Sequence, residues 1–299
     1  NPGGTDRDKH QCAQCGQPQT SLPAPASIKP NPQHLRLPVR TPFTDCAPMT
    51  DRFQNQWEYL AKKDAYWAVL TDDNYTSNRW DQEAFFNTGE QQIESVFARL
   101  ETLSATPDYG AALDFGCGVG RLTRALSKRF KHVVGSDMSA SMLTEAKRVN
   151  GDFKNITFAQ NSPGKLDTVS EDALDFIYSI IVLQHMPKQR QAVFIRAFCR
   201  ALKPGGILQF QALSHRHINT ARDLLAVITP EPIKSTWRII TGKAHTDMEM
   251  HTFRQQEIVE LLAQEPVDLL AHWPDHAAGP RFSSYTYVVR KRRAPPNAH

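Results

Sequence analysis

The chain has 299 residues, enough for one large α/β domain plus an extension. Hydrophobic residues make up 40% and charged residues 22%, with a net charge of +4, an ordinary globular balance that gives no sign of a nucleic-acid-binding surface. No apolar run approaches the ~20 residues of a membrane helix, and no signal peptide is visible. Five mostly isolated cysteines suggest a reducing cytoplasm rather than a disulfide framework. The chain begins at Asn1 rather than Met, which leaves room for an upstream segment.

Residues 1–48 are rich in proline, from Pro18 to Pro48, and poor in apolar residues. They predict a disordered or extended arm. Within it, His10, Cys12 and Cys15 look like half a zinc site, which His34 and Cys46 could complete. Zinc needs four ligands and this spacing does not demand them, so an unstructured segment with two thiols is favoured and no metal is expected.

Residues 49–106 predict a helical cap. Phe53, Trp57, Leu60, Ala61, Asp64 and Trp67 share one side of a first helix. Ile93, Val96, Phe97, Leu100 and Leu103 line a second. The segment Arg79–Gly89 lies between them and carries Trp80 and Phe85. Its aromatic rings either pack the cap on the core or meet a cationic or apolar ligand, and packing is the commoner fate.

From 107 to 213 strand and helix alternate, the pattern of a doubly wound parallel sheet. The predicted strands are 112–115, 132–136, 156–159, 174–181 and 207–213. Ser139 is the expected N-cap of a helix with Met142, Leu143, Ala146 and Val149 on its apolar side. Pro187 opens another, with Phe194, Ile195, Phe198 and Leu202 inward, and Pro204-Gly205-Gly206 ends it. Residues 214–252 are a less patterned insertion, expected to be helical near 219–229 and 236–241. Thr252 with Gln255 predicts a capping box for a further helix. Within 253–293, two final strands are expected at 267–273 and 283–290, before a short tail, 294–299.

The most informative stretch is Leu113-Asp114-Phe115-Gly116-Cys117-Gly118-Val119-Gly120. A strand runs into glycines two apart, and a helix follows. Such a turn lets backbone approach a ligand closely, with the helix N-terminus pointing at it. Asp137 ends the next strand, close to the ~20 residues at which an acid meets ribose hydroxyls. Gln160-Asn161-Ser162, at the tip of the third strand, suits an adenine amine. A dinucleotide loop places its third glycine one residue later, and an acid such as Asp114 repels pyrophosphate. S-adenosylmethionine carries an ammonium, a sulfonium and a carboxylate but no phosphate, and fits this charge pattern better.

Four segments together resemble the class I S-adenosylmethionine-dependent methyltransferases: the glycine loop, Val134-Gly135-Ser136-Asp137-Met138-Ser139, Asp175-Phe176-Ile177-Tyr178-Ser179 and Leu202-Lys203-Pro204-Gly205-Gly206. The resemblance covers about residues 110–213. It implies a Rossmann-like seven-stranded doubly wound sheet with strand seven antiparallel. It also implies cofactor contacts from Asp114, Phe115, Gly116, Cys117, Gly118, Gly120, Asp137, Met138, Met142, Asn161, Ser162 and Ile181.

Methyl transfer is an in-line displacement, so the protein mainly aligns the acceptor and excludes water. An alcohol or amine acceptor must also lose a proton. His185, after the fourth strand, is the candidate base; the equal alternative is that it shapes the pocket or bonds a backbone group. His215, His217, His251 and Tyr285 are weaker candidates for the base, and Trp80, Phe85, Gln184, His251 and Tyr285 are candidate acceptor contacts. No Asn-Pro-Pro-Tyr sequence, metal cluster or glutamate pair marks a nucleobase, catechol or guanidinium acceptor. The expectation is methyl transfer to oxygen or nitrogen of a small metabolite, sugar or lipid-linked precursor. A nicotinamide-dependent oxidoreductase and a non-catalytic binding module are the alternatives, and nucleic acid is disfavoured as a partner. Oligomeric state is open.

Overall fold

The computed structural model describes residues 51–70, 81–162, 164–218 and 249–293, and positions 225, 229, 230 and 233 besides. The arm with His10, Cys12, Cys15, His34 and Cys46, the residue Trp80, the helix expected near 236–241, all but Leu225 and Thr229 of the one expected near 219–229, and the tail lie outside the described residues.

Seven strands form one sheet: β1 (Ala111–Phe115), β2 (His132–Asp137), β3 (Ile156–Gln160), β4 (Leu174–Ser179), β5 (Leu202–Arg216), β6 (Val267–Asp275) and β7 (Phe282–Lys291). Their order is β3-β2-β1-β4-β5-β7-β6. β1 pairs in parallel with both β2 and β4, so the strand order reverses between β1 and β4. That crevice is where doubly wound sheets hold ligands. β7 runs antiparallel to both of its neighbours, β5 and β6.

Helices cover both faces because the parallel strands are apolar on both. On one face α2 (Gln82–Thr102) and α3 (Arg121–Ser127) bury Ile93, Phe97 and Leu126 against Ala112, Phe176 and Val288. On the other, α5 (Lys188–Ala201) and α6 (Gln255–Ala263) bury Phe194, Phe198 and Ile258 against Phe115, Ile177 and Phe210. A third cluster joins α1 (Asp51–Val69), α2 and α4 (Ala140–Val149) through Leu60, Phe85, Phe86, Val119 and Met142. Each large side chain buried in this way contributes about 1.5–3 kcal/mol. Gly89 permits the close contact of α2 with α3: a Cβ there would sit 2.6 Å from the Arg121 carbonyl oxygen.

Several boundaries differ from the sequence expectation, each for a local reason. α2 starts at Gln82 and absorbs most of the expected linker, because Asp81 Oδ1 caps it by accepting from the Ala84 N–H at 2.8 Å. α1 is kinked at Asp64 (φ −163°, ψ 90°), whose carboxylate accepts from the Trp67 N–H at 3.0 Å and restarts the helix. β4 stops at Ser179, two residues short, because Ile181 adopts positive φ. Leu202 leaves α5 to pair with Leu174 as the first residue of β5, so it is not on the helix. Arg254, not Thr252, precedes α6; Glu257 Oε2 accepts from its N–H at 3.2 Å. Ser139 caps α4 as expected, its Oγ accepting from the Met142 N–H at 3.1 Å.

Candidate functional site

The glycine loop joins β1 to α3 at the switch point. Gly116, Gly118 and Gly120 all have positive φ, at 76°, 53° and 82°. The first needs glycine for space as well: a Cβ on Gly116 would lie 2.3 Å from Val182 Cγ2. Gly116 and Cys117 donate their N–H groups to the Ser136 carbonyl at 2.8 and 3.0 Å, which seats the loop on β2.

Asp137 is the hub. Its Oδ2 accepts from the Gly118 N–H and its Oδ1 from the Ser139 N–H, both at 2.9 Å. Burial pushes its carboxyl above the usual carboxylate range. Asp114 is buried and turned inward, its Oδ2 accepting from the Thr123 hydroxyl at 2.6 Å. Burial raises its carboxyl to about 6. Glu58 of α1 accepts from the Ser141 N–H at 3.3 Å. Burial pushes Glu58 up, but hydrogen bonds from Ser141, Ser139 and Ala140 outweigh it and hold its carboxyl low. Arg121, which interacts electrostatically with Asp114, points its guanidinium to Thr88 and Gln92 rather than to the loop. The loop is therefore framed by acids, a poor cradle for a diphosphate and a good one for a cation.

The other expected cofactor residues divide by what they can present. The Phe115 ring faces away from the loop into the α5 side, 4.8 Å from Phe194 between centroids. Cys117 and Met142 are buried, and burial holds the Cys117 thiol well above its usual range and therefore neutral. The Met138 carbonyl accepts from Gln160 Nε2 at 2.9 Å and Gln54 Nε2 at 3.4 Å. Asn161 is tethered to the hub strand, its N–H donating to the Asp137 carbonyl at 3.1 Å and its Oδ1 accepting from Thr168 at 3.0 Å. Ser162 is exposed beside it. Ile181 and Val182 follow β4, and the Val182 side chain lies against Gly116 of the loop.

His185 is buried, with Trp57 of α1 set edge-on at 5.1 Å between centroids. Its Nδ1 lies 3.2 Å from the Glu249 carbonyl oxygen, which can only accept, so Nδ1 carries the proton. Its Nε2 meets the Gln184 amide at 3.4 Å. Burial lowers its imidazole to about 4. Gln184 is buried with its amide engaged by Gln211 and Met250. His251 is part-exposed and its Nε2 lies 3.7 Å from a Glu249 carboxylate oxygen. Phe85 is fully buried against Tyr66 and Phe86, an interior position between α1 and α2 with no exposed ring surface. Tyr285 is partly buried on β7 near His272. His217 Nε2 lies 2.9 Å from Ser283 Oγ, and His215 packs against His217. Among the described residues no group of three or more His, Cys, Asp and Glu side chains is placed to hold a metal ion. None of the described helices is long and apolar enough to cross a membrane.

The resemblance implies that the N-terminal helices cap the cofactor or substrate, and α1 is the helix that lies along the crevice. It runs from His185 at the end of β4, by Trp57, to the end of β2, by Gln54 and Glu58. Val69 lies over Gly118, 2.6 Å from where a Cβ would stand. Its amphipathic stripe signals that it packs, not where. A concavity of about 370 Å³ lies between α1 and α4, lined by Lys62, Lys63, Tyr66 and Glu145 among others, and by no residue of the glycine loop.

The seven-stranded sheet in this order, with a glycine loop at its switch point, is the Rossmann-like fold of the S-adenosylmethionine-dependent methyltransferases to which the chain is similar. Residues 112–206 match the family model described as a methyltransferase domain. Phosphoethanolamine N-methyltransferase 1 of Triticum aestivum is 32% identical over 113 residues, 36% of this chain and 22% of the relative. Malonyl-[acyl-carrier protein] O-methyltransferase of Haemophilus ducreyi is 24% identical over 198 residues, 61% of this chain and 70% of the relative. Among solved structures, magnesium protoporphyrin IX methyltransferase from Synechocystis PCC 6803 superposes with a TM-score of 0.53 at 17% identity, covering 83% of this chain and 100% of the other. The chain spans under a quarter of the length of the phosphoethanolamine relative that it matches.

Proposed function

We propose that this protein transfers a methyl group from S-adenosylmethionine to an oxygen or nitrogen atom of a small molecule. The observation that carries this reading is the glycine loop at the switch point with Asp137 on its rim and acids rather than free cations around it. S-adenosylmethionine, when bound, supplies a methyl group already activated on a sulfonium. The residues fit that ligand: Asp137 offers a carboxylate for ribose hydroxyls, the Asn161–Ser162 tip lies beyond the adjacent strand, and the negative field favours a cation. Met138, Met142 and Ile181 complete the proposed wall.

The chain's own part is then positional. The loop and the Ile181–Val182 turn hold the two sides of the crevice, and α1 covers it from water. His185 belongs to this wall rather than serving as the base. With its imidazole lowered to about 4 and its Nε2 against Gln184, it is a weak acceptor for an alcohol or amine proton. His251, part-exposed after the insertion, and Tyr285 are the proposed acceptor-side contacts. The named activities of the relatives, on phosphoethanolamine and on malonyl-[acyl-carrier protein], support methyl transfer to nitrogen or oxygen and do not select between them.

Incubating the full chain with methyl-labelled S-adenosylmethionine and a fractionated cell extract tests the reading. Label is expected in the low-molecular-mass fraction. Label confined to nucleic acid, or none in any fraction, would contradict it.

A further inference from the structure

Ser104, Asp172 and Ile181 are the non-glycine residues with positive φ among those described. Only Ile181 is β-branched, and its φ of +59° is strained for such a side chain. The strain sits where β4 gives way to the crevice, so something must hold it there.

The His185 ring bonds the Ile181 backbone, and a glutamine on the neighbouring strand takes the Ile181 N–H. Gln211 of β5 is 1% exposed, and its Oε1 accepts from the Ile181 N–H at 3.1 Å. Its Nε2 donates to Gln184 Oε1 at 3.3 Å. The Gln184 carbonyl in turn accepts from the His251 N–H at 2.7 Å, and its Nε2 lies 3.7 Å from Met250 Sδ. His185 Nδ1 bonds the Glu249 carbonyl, and Gln191 Nε2 donates to the carbonyls of both Met186 and His251. The turn after β4 and the segment 249–251 are thus fastened to each other by the Gln184 backbone carbonyl and the His185 ring, and Gln211 holds the Gln184 side chain of that turn. An apolar side chain would fill the Gln211 position equally well. The amide both receives the Ile181 N–H and donates onward, which an apolar side chain cannot do.

We propose that Gln211 is a positioning residue of the cofactor site: it holds Ile181 in the left-handed conformation, which sets Val182 against Gly116, and through Gln184 ties that turn to residues 249–251. This rests on the reading of the glycine-loop crevice as the S-adenosylmethionine site. Without the Gln211 acceptor, Ile181 relaxes to negative φ and Val182 leaves the loop. Glycine at 181 takes positive φ without strain, so the clamp matters less there.

The test is a double-mutant cycle on the full chain with Gln211→Leu, Ile181→Gly and their combination, each first shown to melt cooperatively. S-adenosylhomocysteine is titrated by calorimetry, and amide exchange is followed at Ile181 without ligand. Gln211→Leu is expected to weaken binding about 10-fold in the parent background and by under about 3-fold beside Gly at 181. It should also speed exchange at Ile181. Equal losses in the two backgrounds, or no loss in either, overturn the proposal. A parent chain that does not bind S-adenosylhomocysteine refutes the cofactor reading instead. Exchange at Ile181 is then decisive, and equal protection in parent and variant overturns the proposal. If Gln211→Leu does not fold, Gln211→Asn withdraws the amide by one methylene and carries the same expectations.

Discussion

Two buried titratable groups flank the crevice and respond to acid in opposite directions. His185 is held neutral by burial, its imidazole at about 4 against an ordinary 6.5. Its contribution to stability is present above pH 6.5 and is lost as pH falls towards 4. Asp114 is raised by burial from 3.8 to about 6. Its contribution is present below 3.8 and is lost as pH rises through 6. The two nearly cancel between pH 4 and 6.5. Substituting either alone should tilt the profile: His185→Gln makes the protein less sensitive to acidification, and Asp114→Asn makes it more so. Each tilt is on the order of 2–3 kcal/mol across the window. Urea midpoints between pH 4 and 7 measure both; two variants with parallel profiles would refute the assignment. The sequence placed both residues beside the site but not their environments. Neither burial nor the Thr123 and Glu249 partners can be read from local pattern.

At the scale of elements, close approach between helices decides how the crevice is walled. α2 reaches α3 only because residue 89 has no side chain. Gly89→Ala would press a methyl group on backbone, the Arg121 carbonyl, which cannot swing aside. We expect a stability loss of about 1–3 kcal/mol, although alanine is the better helix former. A chemical denaturation curve measures it, and a more stable variant would show that α2 and α3 do not pack this way. Elements with strong local signals were legible: the Ser139 cap, the strands of the sheet and the Phe194–Phe198 face of α5. Boundaries failed where a distant partner decides them. The Asp64 kink follows from a cap within a helical stripe, and the early end of β4 follows from a hydrogen bond to Gln211 on another strand. Gln209 and Gln211 carried one usable signal, two polar residues in a strand otherwise buried on both faces.

Across the whole molecule, the glycine spacing, Asp114 and Asp137 were enough to choose a cofactor class from sequence. The sheet order then put the loop and the β4 turn on opposite sides of one crevice. The family resemblance implied a helical cap over the site, but which residues of α1 meet the crevice was not legible, because a stripe of apolar residues names a buried face and not its partner. The proposed acceptor contacts, His251 and Tyr285, rest on no motif, because chain pattern is weakest in residues 214–252. The central claim concerns the crevice itself, and calorimetric titration of the full chain with S-adenosylhomocysteine and with NADH tests it most directly. S-adenosylhomocysteine should bind and NADH should not, and Asp137→Ala should weaken the former by about 1–3 kcal/mol through lost ribose hydrogen bonds. Binding of NADH with no binding of S-adenosylhomocysteine would contradict the account.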